Sequence, residues 1–164
     1  MDSLGRDIYR GTIGTPARTT VVSVTAAGAG DNTEANGIAI DLDARTKAEQ
    51  ALTVFIFGVT TLASAQTLSM LAKWQQADDS SFSVNAEDVG EVFPLTVIRG
   101  PGVVTAGAFF VRLTLNLQSV SRRYVRIQFT PDLSASGTDT ATIQSVYLLG
   151  SPQTSPAPSF GSGF

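Results

Sequence analysis

The sequence predicts an all-β fold: an antiparallel β-sandwich of jelly-roll type with extended N- and C-terminal arms. Three observations carry this. Eight or nine short segments alternate apolar and polar residues with the two-residue period of a half-buried strand. Gly-, Asp- and Ser-rich turns separate them, and no stretch sustains the 3.6-residue period of an amphipathic helix. An immunoglobulin-like sandwich is the nearest competitor, and the strand count favours the jelly roll.

Met1 to Pro16 shows no period, with Leu4, Ile8, Tyr9 and Ile13 scattered among glycines, and reads as an extended arm. It lacks the apolar centre of a secretory signal. Thr20 to Val24 is a β-branched run that suits a pleated surface, and it is the first expected strand. After a loop from Gly28, the Asn36-Gly37 turn signal precedes a short second strand of Ile38, Ile40 and Leu42. Asp43 to Gln50 reads as a loop or one helical turn.

Leu52 to Val59 differs from its neighbours. Leu52, Val54 and Ile56 occupy one face, and Phe55, Phe57 and Val59 the other, so neither side suits water. Two arrangements meet that requirement: a central strand whose outer face is covered by an arm or a neighbouring subunit, or a strand buried on both sides within one subunit. In Thr67 to Phe82, Leu68, Met70, Ala72 and Trp74 alternate with polar residues. The turn-formers Asp78, Asp79, Ser80 and Ser81 follow, and Phe82 and Val84 then reopen a strand. Val92 to Ile98 is a strand that Pro94 places at a sheet edge, because proline cannot donate to a ladder.

Arg99 to Gly102 breaks the chain. From Phe109 to Leu117, Phe109, Val111, Leu113, Leu115 and Leu117 face inward, while Phe110, Arg112, Thr114 and Asn116 face out. Val125, Ile127 and Phe129 define the next strand, which Pro131 is expected to close. Ala141 to Leu149 is the last strand, with its facing left open because Ile143, Val146, Leu148 and Leu149 break strict alternation. The domain is thus expected over residues 17–150, flanked by an arm (1–16) and a Ser/Pro/Gly-rich tail (151–164) whose only large apolar residues are Phe160 and Phe164.

Composition narrows function mainly by exclusion. At 164 residues the chain suits one domain. It has no cysteine, hence no disulfide or thiolate site, and no histidine, the commonest general base and transition-metal ligand. A net charge of -3 without basic blocks argues against nucleic acid as partner. The longest apolar run, Ala51 to Ala65, is interrupted by four hydroxyl residues and falls short of the ~20 residues of a spanning helix, so no membrane partner is expected. Charged residues are only 15% of the chain, which suits a surface covered by neighbours.

The carboxylate pairs Asp41/Asp43 and Asp78/Asp79 are the candidates for acid catalysis, and turn chemistry accounts for both. These clusters, or Asp31 to Glu34, offer oxygen ligands to Ca²⁺ without the spacing of a known calcium loop. No nucleophile elbow or phosphate-binding glycine motif is present. Arg122, Arg123 and Arg126 could face an acidic partner; the favoured reading is a solvated strand entrance or pairing with the carboxylates of a neighbouring loop. Trp74, Tyr124 and Tyr147 are the aromatics available for a sugar platform, with Trp74 assigned instead to the core. No catalytic residue, cofactor or metal is expected, and the chain does not read as an enzyme.

Two segments, Trp74-Gln75-Gln76-Ala77-Asp78-Asp79-Ser80-Ser81-Phe82 and Arg122-Arg123-Tyr124-Val125-Arg126-Ile127, resemble the small jelly-roll capsid decoration, or cement, proteins of tailed bacteriophages. The resemblance spans Ala51 to Leu149. It implies a structural virion protein that binds the outer surface of a capsid, bridges subunits of the major capsid protein, and assembles with copies of itself as a homotrimer. Ile8, Tyr9, Ile13, Phe55, Phe57, Phe160 and Phe164 are the expected partner-binding residues. A glycan- or receptor-binding sandwich of a tail fibre or extracellular enzyme is the alternative.

Overall fold

Alternate residues along the longest strands are almost fully buried, as a half-buried pleated surface requires. In Ala51–Leu62, Leu52, Val54 and Ile56 are fully shielded from solvent, and in Thr67–Ala77 Leu68, Met70, Ala72 and Trp74 are at most 1% exposed. The computed structural model describes residues 12–43, 51–99, 105–134 and 137–150. Its strands are β1 (Thr12–Pro16), β2 (Val22–Thr25), β3 (Ala35–Asn36), β4 (Ile40–Asp41), β5 (Ala51–Leu62), β6 (Thr67–Ala77), β7 (Glu87–Arg99), β8 (Thr105–Asn116), β9 (Tyr124–Leu133) and β10 (Thr140–Gly150). A 3-10 turn, Leu117–Ser119, follows β8 and is capped by the Asn116 side chain.

One sheet has the order β1-β10-β5-β8, with β2 also on β10; the other has the order β3-β9-β6-β7, with β4 also on β9. All pairings are antiparallel. Counted with β1/β2 and β3/β4 as two interrupted strands, the chain builds two facing four-stranded sheets and crosses between them repeatedly. This is the jelly-roll arrangement that the sequence predicts. The core between the sheets includes Val111 and Leu113 of β8, Val125, Ile127 and Phe129 of β9, and Ile143 and Tyr147 of β10. Trp74 of β6 stacks on Tyr147 of β10 at 5.9 Å between ring centroids, joining one sheet to the other.

Several elements differ from expectation. The last five residues of the segment read as an arm, including Ile13, form β1, with Thr12 to Pro16 opposite Gly150 to Val146. Ladder hydrogen bonds to β10 hold so short a strand without any side-chain periodicity. The second strand is split: Ala35–Asn36 and Ile40–Asp41 pair with β9, and Ile38 between them is exposed. At the gap, Gly37 N donates to Ile127 O at 2.7 Å, and Ile127 N donates to the Tyr147 hydroxyl at 2.9 Å. A side chain of the opposite sheet therefore takes the place of a missing strand partner. Burial raises the Tyr147 phenol well above its ordinary pKa, keeping it neutral in that role.

Phe82 and Val84 do not reopen a strand, which resumes only at Glu87. Phe82 has φ +58 and turns back under the Arg126 guanidinium, 4.1 Å from its ring centroid. Pro131 does not end β9. Asn32 N donates to Pro131 O at 2.9 Å, so this residue's backbone groups point away from β6, and the absent N–H is missing from an edge rather than from the β6 ladder. β7 is the edge strand that Pro94 predicts. In β10 the facing left open by the sequence resolves with Ala141, Ile143, Ser145 and Tyr147 inward.

Candidate interaction surface

The two sheets present very different faces to solvent. On the outside of the β3-β9-β6-β7 sheet, polar side chains bond to one another. Lys73 bridges Asp88 at 3.0 Å, Arg126 donates twice to the Gln75 side-chain oxygen at 3.0 and 2.8 Å, and Gln128 donates to Asn36 at 2.8 Å. Of the apolar residues within this sheet's strands that have described side chains, Leu71 is the large exposed one. This is the alternation of a solvated sheet face.

The outside of the β1-β10-β5-β8 sheet is apolar at its centre. Register sets three rows across it: Val146–Phe55–Arg112, Gln144–Phe57–Phe110 and Thr142–Val59–Ala108. Cross-strand neighbours in such rows lie within contact of one another. Phe55 and Phe110, diagonal to each other, have ring centroids 5.1 Å apart. Phe55 and Phe57 are half-buried, whereas Phe110 is 62% and Val59 56% exposed. Single exposed apolar residues are ordinary; Phe55, Phe57, Val59 and Phe110 instead lie beside one another on one sheet face. Phenylalanine and arginine are residue types enriched at interface centres.

The doubly apolar β5 thus has one face in the core and the other turned outward, and no element among the described residues covers that outer face. Of the expected partner-binding residues, Phe55 and Phe57 lie in this patch. Ile13 belongs to β1, with its backbone committed to Leu149. Ile8, Tyr9, Phe160 and Phe164 lie outside the described residues. Phe110 and Val59 are missing from the expected set, although parity places both on outward faces.

The two segments that carry the family resemblance meet in space. β6 and β9 are adjacent, with Gln75 opposite Arg126 and Ala77 opposite Tyr124. Arg122 bridges Asp78 at 3.0 Å and Glu87 at 2.8 Å, and Arg123 bridges Asp41 at 2.7 Å, so these two pair with neighbouring carboxylates, whereas Arg126 donates to the Gln75 amide oxygen instead. Hydrogen bonds from Asn85 and Arg122 hold Asp78 below the usual carboxylate range. The Asp79 carboxylate accepts from Ser83 N at 3.0 Å and Val84 N at 2.7 Å, and from the Ser81 and Ser83 hydroxyls. The Ser81 hydroxyl, followed by the Val84 amide, pulls its pKa far down. Both aspartates are loop-builders rather than an acid pair. Asp31 likewise accepts from Ala27 N and Leu133 N, both at 2.8 Å, and no group of three metal-ligating side chains converges among the described residues.

The sugar platform is not assembled. Trp74 and Tyr147 lie in the core, and Tyr124 carries the Arg123 guanidinium over its ring at 5.1 Å.

No protein-family model matches the chain, and no curated protein matches it in sequence. Solved structures of infectious bursal disease virus do align with it in three dimensions. The Gx strain structure aligns at 12% identity and a TM-score of 0.42, over 88% of this chain and 33% of that one. Derived T=1 particles align at 12% identity and a TM-score of 0.43, over 85% and 31%. The VP2 subviral particle aligns at 11% identity and a TM-score of 0.40, over 88% and 33%. This chain spans about a third of the length of those it aligns with. The jelly-roll assignment rests on the strand order and register above, not on these alignments.

Proposed function

We propose that the chain is a structural protein of a virus particle. In this reading it is a decoration, or cement, protein that binds the outer surface of a tailed-phage capsid and stabilises it by bridging capsid subunits. The observation that carries the proposal is the division of labour between the two outer faces: one is a network of hydrogen-bonded and ion-paired side chains, and the other is a patch of Phe55, Phe57, Val59 and Phe110. The paired Trp74–Phe82 and Arg122–Ile127 segments, which resemble that family, support the same reading. Its partners are the major capsid protein and further copies of this chain, assembled as a homotrimer, and its place is the capsid surface. The role is non-enzymatic. The segments at residues 1–11 and 151–164, outside the described strands, add anchors through Ile8, Tyr9, Phe160 and Phe164.

Co-sedimentation with undecorated capsids tests this. The wild-type chain pellets with the shell in stoichiometric amount, and Phe110→Asp, which places a charge in the patch, reduces affinity by ~10-fold or more. Leu71→Asp, on the opposite face, binds as wild type. Equal binding by the Phe110 variant, with its fold verified by circular dichroism, overturns the proposal.

A further inference from the structure

β8 is an edge strand of an unusual kind. Native sheets blunt their edges with short strands, proline, charges or bulges, because a long regular edge recruits other strands. Three of the four edges here follow that rule. β1/β2 and β3/β4 are interrupted. β7 carries Pro94 and the charged Glu87 and Asp88, and its pairing with β6 shifts register twice. β8 pairs with β5 over Thr105 to Asn116 without any shift, has no proline, and holds one charged residue, Arg112.

Arg112 is itself anomalous. Arg18, Lys73, Arg122, Arg123 and Arg126 all donate to an oxygen acceptor. Among the lysines and arginines with described side chains, Arg112 alone has no hydrogen bond or ion pair. It shares the outward face with Phe110, two residues away. A strand added antiparallel to β8 would satisfy this edge if it placed a carboxylate opposite Arg112 and, two residues further on, an aromatic opposite Phe110.

The chain contains that spacing in Asp7-Ile8-Tyr9. We infer that residues 6–10 of a second copy of this chain add to the edge of β8 that no described strand pairs, with Asp7 opposite Arg112, Ile8 opposite Val111 and Tyr9 opposite Phe110. Ile8 then closes the margin of the core, while Arg6 and Arg10 reach solvent from inward-parity positions along their aliphatic stems.

The segment must come from another molecule. Strand β1 lies at the opposite edge of the sheet, so four strand spacings of ~4.8 Å put the added strand ~19 Å away laterally. Register also aligns Thr12 with Gly150, Ala51 and Asn116, leaving Arg112 four residues, or ~13 Å, further along. The separation is therefore ~23 Å, whereas the five residues from Asp7 to Thr12 span at most ~18 Å. Such an exchange is either reciprocal between two copies or runs head to tail from copy to copy.

The inference concerns self-association in solution and stands or falls without any shell. Sedimentation velocity should show wild-type chains associating, D7R and R112D each weakening association several-fold, and the D7R/R112D double variant restoring it. In this cysteine-free chain, Y9C/F110C should give disulfide-linked multimers on mild oxidation with diamide. A wild-type mass of one chain at ~100 µM, far above the micromolar range of stable oligomers, overturns the inference. So does a double variant no better than the single ones, a bridge formed within one chain, or undiminished association after removal of residues 1–11, which would assign β8 to pairing with another β8.

Discussion

Gly58→Ala should destabilise the chain by ~3 kcal/mol or more, the range of severe overpacking in a closed backbone environment. Gly58 lies in β5, which is hydrogen-bonded on one side to β10 and on the other to β8. A Cβ there would overlap the carbonyl oxygen of Thr142 and approach Phe109 Cζ to 3.0 Å. The first obstacle is backbone of a neighbouring strand, which cannot turn aside as a side chain can. Relief would require moving β10 against β5 along a ladder that runs from Thr140 to Gly150. The measurement is thermal unfolding by circular dichroism, with a fall in Tm of roughly 6–12 °C expected for a chain of this size. A Tm unchanged from wild type would show that the β5–β10 spacing is wrong.

Trp74→Ala should cost ~3–5 kcal/mol, the usual range for removing a large buried aromatic. Trp74 is 1% exposed and stacks on Tyr147, so truncation empties the contact that couples β6 to β10 across the core. Trp74→Phe should cost much less, ~1–2 kcal/mol by the scale of buried large-to-small changes. It keeps an aromatic ring on Tyr147, and the indole N–H it removes has no hydrogen-bond partner among the described residues. Urea denaturation followed by circular dichroism separates the two, since neither variant retains tryptophan fluorescence. Equal costs for alanine and phenylalanine would mean that Trp74 stabilises through its N–H rather than through packing.

Strands β5, β6 and β8 were legible because each has one face fixed by the core, and a period of two leaves only one register that buries it. What escaped depends on distant partners. The break at Gly37 is made tolerable by the Tyr147 hydroxyl, which no local pattern announces, and an added Cβ at Gly37 would come within 2.7 Å of Ile127 Cγ2. Strand β1 is five residues held by backbone bonds to β10, too short to display a period. Phe82 leaves the strand pattern because Arg126, on another strand, offers its ring a cation, and the left-handed backbone there follows from the Asp79-centred loop. The apolar outward face of Phe55 and Phe57 could be read from parity alone. Its continuation onto Phe110 could not, because that requires knowing that β5 and β8 are neighbours, a pairing between segments some fifty residues apart.

The central claim is that the outer face of β5 and β8 is the face the particle covers. Hydroxyl-radical footprinting of free and capsid-bound protein tests it directly, since phenylalanine, leucine and tyrosine side chains are modified in proportion to their exposure. Phe110 and Phe57 should be modified in the free protein and protected on the shell, while Leu71 and Tyr124, on the other sheet, react equally in both. Unchanged modification of Phe110 on binding, with protection appearing at Leu71 instead, would contradict the account.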